Sequence, residues 1–226
     1  MLQSSYLNDI RMTVLNTIPL QIPSLTQASL VVPYTDVNAD GKTPINVPLD
    51  YYIGGTNGQD VAALVPSIAS GVSPFEGTTI FPARIVPDTA AASALSGGLY
   101  SFQVKPYLLP NTISGPGVYA EAFDAIYKLS SSPYTEHTFH TLLNSPQLLN
   151  TGKCQRNTIY FNETFANPHM AIANITLYHQ ILSTPPAAVE GVYNNVYCYQ
   201  ANGEQVSATG EDCNTAAALV DPKALQ

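Results

Sequence analysis

Charge is what this chain has least of. Only 11% of its 226 residues are Asp, Glu, Lys or Arg, against roughly 25% in ordinary soluble proteins. Hydrophobic residues stand at an ordinary 45%, so Ser, Thr, Asn, Gln, Gly and Pro take the place of the missing charge. Intrinsic disorder pairs high net charge with few apolar residues, and that combination is excluded. A polar but uncharged surface is the habit of extracellular β-proteins, pilus subunits and capsid proteins. Cytosolic enzymes usually carry more Lys and Glu.

Cations are scarcest of all. Eight Lys and Arg stand against sixteen Asp and Glu, a net charge of −8. Arg11, Lys42, Arg84, Lys105, Lys128, Lys153, Arg156 and Lys223 are scattered and form no stripe. Phosphate recognition needs clustered cations, so direct nucleic-acid binding is not expected. Anionic membrane surfaces are disfavoured for the same reason. Long apolar runs are missing too. None approaches the ~18 residues of a membrane span. The opening MLQSSYLNDIRM has neither a basic n-region nor an apolar h-region, so it does not read as a secretory signal. Either a signal has been removed, or the protein is made in the cytoplasm and reaches the outside as virion proteins do. Met1 favours the second.

Tryptophan is absent, and cysteine is limited to Cys154, Cys198 and Cys213. An odd count leaves at least one thiol free or paired between chains. Cys198 and Cys213 are near enough in sequence to close a short C-terminal loop and form the candidate disulfide. Three buried thiols are the alternative, since free Cys packs as a small hydrophobe. No Cys–Cys or Cys–His spacing suggests zinc. Nucleophile and phosphate signatures are also lacking: there is no G-x-S-x-G and no P-loop. The sparse carboxylates form no suggestive pair for glycosidase chemistry. The expectation is a protein that is not an enzyme and holds no cofactor, with Ca²⁺ the one ion worth weighing.

Proline and tyrosine are what the chain has in quantity. Twelve of the prolines, from Pro19 to Pro116, cut the first half into short pieces. Proline ends helices and sits at strand edges and turns, so many short strands are expected. Period-2 alternation predicts strands over 156–165, 170–182 and 192–200. In the second of these Ala171, Ala173, Ile175 and Leu177 share one face. Residues 192–208 read as a hairpin turning at Asn202-Gly203. Earlier candidates are 29–37, 43–53, 78–86 and 99–109. Helices are expected to be few: short turns over 60–70, 89–96 and 118–129, and "EHTFHTLLN" capped by Thr135. Leu2, Tyr6, Ile10 and Val14 recur every fourth residue, so residues 1–24 form either a short helix or an extended arm. Residues 25–226 then make a single domain. The fold class is mainly β: an antiparallel, jelly-roll-like β-sandwich with a few short helices.

Four features have chemical readings. Asp36, Asn38, Asp40 and Gly41 match positions 1, 3, 5 and 6 of a calcium loop, but position 12 is Val47 instead of a bidentate carboxylate. A plain polar turn is the competing reading. His137 and His140, beside Glu136, stand at i, i+3 and are able to share a metal; hydrogen-bonded histidines are the simpler account. Asn162 and Asn174 open glycosylation sequons. Tyr193, Tyr197 and Tyr199 alternate along one strand, suited to protein contact, to sugar stacking or to packing within the sheet. Together these features lead to a structural, self-assembling protein whose partners are copies of itself and other structural subunits. A virion capsid or vertex component comes first. An extracellular filament or pilus-type subunit joined by strand addition and a carbohydrate-binding or Ca²⁺-dependent adhesive module are the alternatives. The expected location is the virion, or otherwise the cell exterior.

Overall fold

The computed structural model describes residues 1–14, 18–58, 80–108, 118–119, 121–161, 164–178, 189–208 and 210–226. The chain is mainly β. Two long strands open it. β1 (Leu2–Val14) and β2 (Ile18–Thr35) pair antiparallel from Leu2↔Leu30 out to Val14↔Ile18. The helical alternative for the N-terminus is therefore overturned. A four-residue spacing is a multiple of two, so Leu2, Tyr6, Ile10 and Val14 satisfy a strand as well as a helix. The facing run "IPLQIPSL" holds two prolines and cannot answer as a helix. β2 passes unbroken through residues 24 and 25.

The remaining elements follow in order. β3 (Ile45–Gly54), β4 (Ile80–Val86), β5 (Ser93–Ala94), β6 (Leu99–Leu108), β7 (Val118–Tyr119) and β8 (Phe123–Leu129) precede helix α1 (Glu136–Asn144). Then come β9 (Gln147–Leu148), β10 (Cys154–Gln155), β11 (Asn157–Tyr160), β12 (His169–Leu177), β13 (Gly191–Gln200), β14 (Glu204–Ser207) and helix α2 (Cys213–Ala218). The main sheet runs β1-β2-β3-β4-β6-β8-β12-β13. It is mixed rather than wholly antiparallel, because β3 and β4 pair parallel through Tyr51↔Ile80 and its neighbours. Parallel neighbours need a long connection, and residues 55–79 lie between the two strands in sequence.

Alternation builds the core. Ala28 and Leu30 of β2, Tyr52 of β3, Ala83 and Ile85 of β4, Phe123 and Ala125 of β8, and Ala173, Ile175 and Leu177 of β12 belong to one buried cluster. One buried cluster thus runs across β2, β3, β4, β6, β8 and β12, which are consecutive in the main sheet. Phe123 meets Tyr52 and Phe102 edge-on, with ring centroids 5.7 and 6.3 Å apart. Asp50, 3% exposed, lies beside Tyr52 on this face. Burial first, then the charge and hydrogen bond of Asp50, push the Tyr52 hydroxyl far above the usual tyrosine range.

Several expectations change. Residues 123–129 form a strand, not a helix. A run this short suits either period, and burial of Phe123 and Ala125 on the core face decides for two. Residues 89–96 hold β5 and bends; a single 3-10 turn follows at Ser96–Gly98. Residues 60–70 lie outside the described residues. The hairpin at Asn202-Gly203 does not form. β13 pairs with β12, whereas β14 pairs with β11 in a separate two-stranded sheet. Asn202 is instead tied to Phe165 and Ala166, and a Cβ at Gly203 would stand 2.9 Å from the Tyr160 carbonyl oxygen. The predicted N-cap is present, with the Thr135 hydroxyl accepting from the Thr138 amide.

Candidate functional site

The Asp36–Thr43 loop spends its carboxylates on its own backbone. Asp36 Oδ1 and Oδ2 accept from the amides of Asp40 and Gly41, at 3.1 and 3.0 Å. Asp40 Oδ1 accepts from Lys42 and Thr43, and its Oδ2 from the Thr43 hydroxyl. The Lys42 amide is the largest influence holding the Asp40 carboxyl below its usual range. Asn38 does not turn inward either: its Nδ2 donates to Asn214 Oδ1 of α2 at 2.9 Å. The three residues of the calcium reading therefore form a self-capped turn, pinned to α2. No group of three potential metal ligands occurs among the described residues.

The histidine pair is also divided. His137 Nδ1 meets the Leu225 carbonyl at 2.7 Å. His140 is 2% exposed, and its Nε2 meets the Tyr199 hydroxyl at 2.8 Å. Phe161 stacks on the imidazole with centroids 4.6 Å apart, and Phe139 stacks on Tyr199 at 5.5 Å. Burial holds the His140 pKa below the ordinary imidazole value, against the opposing pull of the Gln226 backbone and Glu136. Its Nδ1 has no partner in hydrogen-bonding geometry. The cluster is therefore a packing centre that seats α1 on β13.

Beside it lies a knot that the sequence does not announce. Asn144 Nδ2 donates to the carbonyls of His140, Ile159 and Ala224, and its Oδ1 accepts from the Ile159 amide at 2.6 Å. One buried amide thus joins α1, β11 and the C-terminal turn. Only Asn at the last position of the helix hints at this, and its partners are remote in sequence.

The cysteines pair differently from the sequence expectation. Cys154 and Cys213 form the disulfide, with Cα atoms 4.8 Å apart, and Cys198 is free. Pairing with β12 carries Cys198 onto the core face of the main sheet next to Val196. Cys154 and Glu211 meet through a two-way backbone bridge, which brings the start of α2 to β10. Topology overrides nearness in sequence. Burial pushes the Cys198 thiol up to about 11.

Asn174 stands exposed on the outer face of β12, and its Oδ1 accepts from the Asn195 amide at 3.2 Å. The second sequon residue, Asn162, lies outside the described residues. The tyrosines of β13 do not share a face. Asn174 faces both Asn194 and Asn195, a β-bulge in which Asn195 has φ 58°. Tyr193 therefore aligns with Ile175, while Tyr197 and Tyr199 align with Ile172 and Met170. Tyr197 meets Tyr134 edge-on at 5.5 Å.

Among the described residues, the N-terminal ribbon of β1 and β2 runs on beyond the reach of β3. Pairing of β2 with β3 begins at Thr26↔Gly54. From Ile18 to Leu25, β2 has only β1 beside it among the described residues. Backbone register pairs Ile10 with Ile22, Met12 with Leu20 and Val14 with Ile18, while Arg11 faces Gln21 and Thr13 faces Pro19. Ile10 and Ile22 pack against Leu25, Ile53 and Ile80, a cluster separate from the main core. No protein-family model and no curated protein matches the chain.

Proposed function

We propose that this chain is a structural subunit that assembles with copies of itself, as a virion capsid or vertex component does. The ribbon of β1 and β2 carries this reading. A two-stranded hairpin is at best marginally stable in water. This one extends past β3 with apolar residues at alternate register positions, a pattern that gains stability when a neighbour covers it. The disulfide adds support for a life outside a reducing cytosol. A single core shared by β2, β3, β8 and β12 is what a jelly-roll-like sandwich would have. We assign no catalysis: both histidines of α1 are engaged by Leu225 and Tyr199. No helix among the described residues is long and apolar enough to cross a membrane.

A filament subunit joined by strand addition is the second reading, favoured by the same ribbon. No observation favours the Ca²⁺-dependent adhesive reading, given the self-capped Asp36 loop. Negative-stain microscopy of the purified chain separates the first two. Closed shells or rings support the capsid reading, and open fibres support the filament. Monomers alone at high concentration would count against both.

A further inference from the structure

We propose that the outer edge of β1, which has no second strand beside it among the described residues, pairs with β1 of a second copy, antiparallel about a two-fold axis at Ile10. This deepens the assembly reading and rests on it. Two edges of the ribbon compete for a partner strand. The β2 edge carries Pro19 and Pro23, which have no amide hydrogen to donate, and proline guards edges against pairing. β1 has 13 residues and no proline. Lysine, the other common guard, is absent from it as well. Long edges without such guards invite another strand.

The charges choose the partner. Asp9 and Arg11 are the only ionised side chains on β1, and they flank Ile10. Both are exposed, with Arg11 Nη2 2.6 Å from Asp9 Oδ2. In an antiparallel pair centred on Ile10, Asp9 of each copy lies across from Arg11 of the other. Opposite charges across a ladder attract and like charges repel. A two-fold interface repeats every contact, so this pattern is complementary to itself. Asp9 has φ 51°, a left-handed backbone that Asp tolerates. The axis puts one such interruption on each side, so the two do not coincide.

Charge reversal in the full-length chain tests the register. Asp9→Arg alone places Arg across from Arg, and Arg11→Asp alone places Asp across from Asp. Each variant by itself should dimerise at least about tenfold more weakly than the native chain, since two symmetric contacts become repulsive. Neither variant retains the ion pair within its own chain. Mixing them should nonetheless restore pairing as mixed dimers in native mass spectrometry, because each supplies the charge the other lacks. Circular dichroism melts of each variant confirm that it folds. Native-like assembly of both single variants would overturn this pairing while leaving the assembly reading standing. Weak variants that are not restored by mixing would overturn it too. A native chain that stays monomeric would overturn both.

Discussion

A single buried imidazole makes the stability of α1 depend on pH. His140 prefers to be neutral in the folded chain, because burial lowers its pKa. The unfolded chain takes up the proton more readily, near the ordinary value of about 6.5. Stability is therefore complete above that value and is lost as pH falls from it through the lower folded pKa. Glu136 and His137 on α1, Tyr199 on β13 and the Gln226 backbone are the groups that face it. Urea midpoints at pH 7.5 and 5 should show this loss in the native chain and a flatter dependence in His140→Gln. Asn144→Ala should cost about 3 kcal/mol, since it strands buried backbone groups that each carry a penalty of about 1–3 kcal/mol. Chemical denaturation reads that directly. At the Asp36 loop, calorimetry should find no micromolar Ca²⁺ binding, and Asp40→Ala should not change the titration. The type of each of these residues was legible in the sequence, but its partner was not. Asp36, Asn38 and Asp40 have the right oxygens for calcium, and the backbone amides of the turn take them. Asn144 has no motif, because its partners come from Ile159 and Ala224.

At the scale of elements, the disulfide holds α2 against β10. It closes a loop with a sequence separation of 59. Chain entropy for a loop of that length gives about 4 kcal/mol of stabilisation. Reduction in a Cys198→Ser background should lower the unfolding free energy by about that amount, read from urea melts with and without reductant. Thiol counting should find one reactive cysteine only after unfolding, because burial raises the Cys198 thiol to about 11. The clear period of β12 was readable, whereas the strand expected over 156–165 is realised only at Asn157–Tyr160, with residues 164–165 in a turn. The faces of β12 follow the alternation of Ala171, Ala173, Ile175 and Leu177, and Thr135 caps α1 as its sequence suggests. Ambiguous periods were not readable: fourfold spacing fits both helix and strand in β1, and the short run of β8 fits either. The bulge at Asn194 and Asn195 is invisible without its partner strand. It moves Tyr193 off the face of Tyr197.

For the whole molecule, a mainly β chain followed from the scattered prolines and the alternating runs. The path of the sheet did not. Parallel pairing of β3 with β4 joins two strands that no local pattern marks as partners. The separation of β14 from β13 depends on β11, more than forty residues earlier in the chain. The proposed assembly rests on the scarcity of charge and on the ribbon of β1 and β2. Ribbon removal tests that most directly. Residues 11–21 are replaced by Asn-Gly, so that Ile10 and Ile22 close a two-residue hairpin and β1 keeps its pairing over Leu2–Asn8. Native mass spectrometry of the intact and shortened chains then gives the answer. Defined oligomers are expected from the intact chain and a folded monomer from the shortened one. Identical oligomers from both, or monomers from both, would contradict the proposed assembly.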